Sequence, residues 1–120
     1  MGKKTLVLGA SENEHRYSNK AIKKLRNYNH PVLALGKREG KVADVFIENT
    51  VKEWQDIDTL TIYLNPANQK QYYDQILKWQ PKRIIFNPGA ENPTLEKLAN
   101  ENGITTENAC TLVMLSNNIY

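Results

Sequence analysis

The sequence is poor in the residues that chemistry most often uses. It has one cysteine, Cys110, so no intrachain disulfide can form. No Cys/His cluster has the spacing of a metal site. The two histidines, His15 and His30, have no acid or nucleophile beside them, and both read as surface residues. Cys110 lies in an apolar segment and reads as a small buried side chain. The carboxylates are scattered, with no spaced pair suited to acid–base work. Apolar runs are short: none approaches the roughly 20 residues of a membrane span. The run after Lys3-Lys4 is too short for a signal peptide, and the expectation is a cytoplasmic protein away from membranes. Charge of one sign is also scant. Sixteen basic residues face 13 acidic ones, a net charge of +3. That suits an anionic small molecule and is too little to argue for nucleic acid. Aromatic residues make up only 8%, and Trp54 and Trp79 read as packing residues.

What is present is a regular alternation over 120 residues, the length of one domain, expected to span 1–120. Lys4 to Leu8 reads as a strand, and Ser18, Ala21, Ile22, Leu25 and Tyr28 then follow helical spacing. Ser18 is the expected N-cap, and Asn29 followed by Pro31 the stop. Pro31 to Leu35 reads as a second strand and Val42 to Ile47 as a weaker third, interrupted by Asp44. Val51 to Gln55 is expected to make a helical turn. Thr59 to Leu64 is a β-branched strand. It ends at Asn65-Pro66, an N-cap with proline in the first helical position, and the helix runs to about Trp79. Arg83 to Phe86, a helix from Asn92-Pro93, a short strand from Ile104 to Glu107 and an apolar helix from Cys110 to Leu115 complete the pattern. Strands alternating with helices predict an α/β fold: a doubly wound, mostly parallel sheet in a Rossmann-like three-layer sandwich.

In such sheets ligands bind beyond the carboxyl ends of the strands. Four ends should converge there: Gly9-Ala10-Ser11, Gly36-Lys37-Arg38, Asn65-Pro66 and Asn87-Pro88-Gly89. Gly9 and Ala10 allow close backbone approach, and the loop from Ser11 to Tyr17 carries Asn13 and Arg16. The helix start near Ser18 favours a phosphate, which Arg16 can grip bidentately. The second strand end lies beside the ribose in a nucleotide-binding βαβ unit. An acid there suits a free hydroxyl, and a base suits a ribose phosphate. Lys37 and Arg38 therefore point to a phosphorylated ADP-like ligand, NADP or coenzyme A. The first loop is not G-x-G-x-x-G, because Ser11 and Glu14 stand at the later glycine positions. This counts against NAD and NADP.

The chain resembles the small stand-alone CoA-binding domain proteins. These are similar to the CoA-binding domain of the succinyl-CoA synthetase α subunit and of NDP-forming acyl-CoA synthetases. Gly9-Ala10-Ser11 with Asn13, Arg16-Tyr17-Ser18, Pro31-Val32, Asn65-Pro66, Asn87 to Asn92 and Ala109 to Leu115 carry the resemblance, in that order. Where many relatives have Asn-Pro after the second strand, this chain has Gly36-Lys37, a pairing that looks like the synthetase subunit. The resemblance implies a Rossmann-like fold with the phosphates and adenosine of CoA over Gly9 to Ser18. It implies that Lys37 takes the place of a basic residue on the nucleotide, with Asn65-Pro66 near the adenine side. The synthetases' phosphorylated histidine lies outside this domain. The leading expectation is a CoA or acyl-CoA binding domain without catalysis of its own. Two rivals stand beside it: an enzyme, as a subunit of a split acyl-CoA synthetase or an NADP-binding reductase, and a ligand-free interaction module. The apolar closing segment also suits a homodimer or an unidentified protein partner.

Overall fold

The computed structural model describes residues 2–120. Seven strands form one sheet: β1 (Thr5–Ala10), β2 (Val32–Gly36), β3 (Gly40–Val42), β4 (Val45–Glu48), β5 (Thr59–Ile62), β6 (Arg83–Phe86) and β7 (Thr105–Asn108). Their spatial order is β3-β4-β2-β1-β5-β6-β7, and every pairing is parallel except that of β3 with β4. The helices are α1 (Tyr17–Asn27), α2 (Pro66–Gln69), α3 (Tyr73–Trp79), α4 (Pro93–Glu101) and α5 (Thr111–Ser116), with a 3₁₀ turn at Lys70–Tyr72 between α2 and α3. The expected mostly parallel, three-layer Rossmann-like sandwich is the observed one.

β1 is central and apolar on both faces. Leu6 and Leu8 pack with Ile76, Trp79, Leu95 and Ala99 from α3 and α4. Val7 packs on the other face with Ile22 and Leu25 of α1 and Leu115 of α5. The period-2 alternation breaks at Gly9. The register with β2 shifts there, from Leu8 opposite Leu35 to Ala10 opposite Gly36. This bulge puts Ala10 on the Val7 face. Gly9 has φ +94°, and a Cβ on it would lie 3.1 Å from the Tyr63 carbonyl carbon. A Cβ on Gly36 would lie 2.2 Å from the Ala10 carbonyl oxygen. Both glycines therefore serve the seams between β1 and its neighbours.

Four expectations need correction. Ser18 does not cap α1: the helix starts at Tyr17, its N-cap is Arg16, and Ser18 is buried within the first turn. The third strand is two strands, β3 and β4, folded into a hairpin at Ala43-Asp44, with Ala43 left-handed at φ 54°. Asp44 pairs there with Arg26 of α1 through bonds of 2.9 and 2.8 Å, which holds its carboxyl below the usual carboxylate range. Val51–Gln55 is not helical; the Lys52 carbonyl instead accepts from the Trp79 indole at 2.9 Å, and Trp54 packs on Trp79. The helix from Pro66 to Trp79 is divided by the 3₁₀ turn.

Two chemical expectations also change. Cys110 is half-buried rather than buried. His30 is half-buried: its Nδ1 accepts from the Lys3 amide at 2.9 Å, and its ring meets Tyr120 edge-on at 4.9 Å. Burial, with Lys3 and Arg83 nearby, pushes its pKa down.

Candidate functional site

β1 has β2 on one side and β5 on the other, so the chain winds outward from it in both directions. A doubly wound sheet opens a crevice at such a point. A cleft of about 670 Å³ lies there. Gly9, Ala10, Ser11, Asn13, Arg16 and Ser18 line it from the first loop and α1, Lys37 and Arg38 from the end of β2, and Asn65 from the end of β5. Gly36 and Pro66 are not on its surface. Gly36 is sealed in the sheet, and Pro66 starts α2 behind Asn65, whose side chain caps the Asn68 amide at 3.0 Å.

Pro88 and Gly89, from the fourth expected strand end, also line the cleft, together with walls that were not expected as ligand contacts: Glu12, Tyr17, Glu39, Tyr63, Leu64 and Ala90. Tyr63 and Leu64 directly precede Asn65, and Pro88 follows β6. Proximity to a strand end was the available signal. Buried Gln69 fixes two of these walls, donating to the Leu64 and Ala90 carbonyls at 2.8 Å each. Asn87 anchors the end of β6. It donates to Thr61 Oγ1 at 2.6 Å and to the Ile62 carbonyl at 3.0 Å, and accepts from the Thr111 amide at 2.9 Å.

The first loop holds its own shape. Ser11 Oγ accepts from the Asn13 amide at 3.0 Å, and Asn13 Oδ1 accepts from the His15 amide at 2.9 Å. The Asn19 side chain ties the Ser11 carbonyl to α1 at 3.0 Å. These bonds use acceptors. The Ser11 hydroxyl proton and the Asn13 amide protons are left for an acceptor in the cleft.

Electrostatically the site favours anions. No side chain caps α1, so its first amides and positive dipole end face the cleft. Arg16, Lys37 and Arg38 have no carboxylate within ion-pair distance among the described residues. Two carboxylates, Glu12 and Glu39, share the lining. Tyr63 is different: burial pushes its pKa well up, so its hydroxyl keeps its proton at neutral pH.

Residues 3–116 match the family described as CoA binding domain. The chain belongs to that family. A solved structure of an uncharacterized protein is 42% identical, covering 100% of this chain and 99% of its own, with a TM-score of 0.97. A protein from Thermus thermophilus is 21% identical over 99% of this chain and 91% of its own, with a TM-score of 0.84. A hypothetical protein from Pyrococcus horikoshii OT3 is also 21% identical, over 97% of this chain and 83% of its own, with a TM-score of 0.84. These two likenesses establish the fold. No curated protein matches the sequence. This CoA-binding domain also has no helix, among the described residues, long and apolar enough to cross a membrane.

Proposed function

We propose that this protein binds coenzyme A or an acyl-CoA in the cleft beyond β1, β2 and β5, as one domain and without chemistry of its own. One observation carries the reading. An uncapped helix N-terminus and three unpaired cations converge on one cleft at the crevice of a doubly wound sheet. CoA carries a pyrophosphate and a ribose phosphate. The first suits α1, the Ser11 hydroxyl, Asn13 and Arg16. The second suits Lys37 and Arg38, which stand at the ribose position of such folds. Asn65, exposed on the other side of β1 at the end of β5, is then a contact to the nucleotide.

The lining contains neither histidine nor cysteine, and the Tyr63 hydroxyl is a buried group without a hydrogen-bond partner among the described residues. The ligand is a small intracellular nucleotide, so the setting is the cytoplasm and no nucleic-acid partner is required.

Calorimetric titration with CoA tests the assignment. Arg16→Ala and Lys37→Ala should each weaken binding by about tenfold, or ~1.4 kcal/mol, as removal of a charge-assisted contact does. CoA affinity unchanged in both variants would sink the site assignment.

A further inference from the structure

Glu12 has a place that neither the loop nor the anion site explains. Its Oε2 accepts from the Lys41 amide at 2.9 Å, so the first loop is strapped to β3 across the cleft's basic end. Its side chain lies flat on Gly40. A Cβ on Gly40 would come 2.4 Å from Glu12 Cδ, 2.6 Å from Cγ and 2.8 Å from Oε1. Gly40 does not have a left-handed φ. Its backbone would accept alanine, so the space a Cβ would take is the seat of Glu12.

Lys37, Arg38 and Glu39 fill the turn between the end of β2 and Gly40. The strap therefore connects the two segments that carry the cleft's cations. Ser11 and Asn13, with donors free for the cleft, flank Glu12 directly.

We propose that Glu12, seated on Gly40, is a positioning residue that holds the first loop and the Lys37–Glu39 turn at the spacing a CoA-type anion requires. The inference rests on the reading of the cleft as a CoA site. Only the acceptor oxygen is needed for the strap, not the charge. A glutamine can supply that oxygen, and an alanine cannot. Gly40→Ala unseats Glu12 while leaving its chemistry intact.

The test is calorimetric titration of CoA into the intact protein and three variants, with amide hydrogen exchange at Lys41 measured without ligand. Glu12→Ala and Gly40→Ala should both deprotect the Lys41 amide and weaken CoA binding by about tenfold, with unfolding temperatures close to that of the parent. Glu12→Gln should keep the protection and bind within about twofold of the parent. Unchanged affinity in Glu12→Ala and Gly40→Ala would overturn the inference and leave the CoA reading standing. Tighter binding in Glu12→Ala and Glu12→Gln would overturn it in favour of a carboxylate that competes with the ligand. A parent protein that binds no CoA would overturn the reading beneath it.

Discussion

Asn87 shows how much one side chain can organise. It is 2% exposed, and its three hydrogen bonds join β5, β6 and α5. Replacing it by leucine would strand the Thr111 amide in the interior and leave the Ile62 carbonyl only the 3.4 Å bond from the backbone amide of residue 87. A stranded group costs about 1–3 kcal/mol. Asn87→Leu should therefore lower the unfolding temperature by on the order of 10 °C or more, which calorimetry would read. His30 gives a pH prediction of definite sign. Its folded pKa lies below the ordinary 6.5, through burial first and then Lys3 and Arg83. The unfolded chain thus takes up a proton that the folded chain resists. Stability should be full above about pH 6.5 and fall as the pH drops below it. His30→Asn should flatten that fall in urea titrations run across this window. An equally steep fall in the variant would show that other groups cause it.

The main strands and helices were legible because their signals are local. β1, β2, β5 and β6 are short apolar runs ended by Gly, Asn or Pro, and α4 opens with Asn92 capping the Leu95 amide ahead of Pro93. The misread elements depend on contacts remote in sequence. Ser18 has the composition of a cap, yet the cleft rather than a side chain faces the start of α1. The β3–β4 hairpin turns at Ala43, which carries no turn signal, and Arg26 of α1 secures the turn through Asp44. Ala43 in a left-handed conformation is strained. Ala43→Gly should raise stability by about 1 kcal/mol, measured by denaturant unfolding; a loss would mean that the Ala43 methyl packs usefully. The strand ends of the candidate site were likewise legible, since the period-2 runs mark where each strand stops. Glu12 and Ala90 were not, because what brings them to the cleft is the Gly40 seat and the Gln69 bridge.

At the scale of the molecule, the sheet order makes the site. Because β1 has parallel neighbours on both sides, its carboxyl end opens into a crevice, and the first loop and the β2–β3 turn supply the cations. A ligand held there would contact segments from both halves of the sheet and stabilise them together. The most direct test is thermal unfolding of the protein with CoA, NADP and NAD in parallel. CoA at about 100 times its dissociation constant should add roughly 2.7 kcal/mol of apparent stability, a rise on the order of 10 °C for a domain of this size, with little or no rise for NADP and NAD. No rise with CoA, or an equal rise with NADP, would contradict the account.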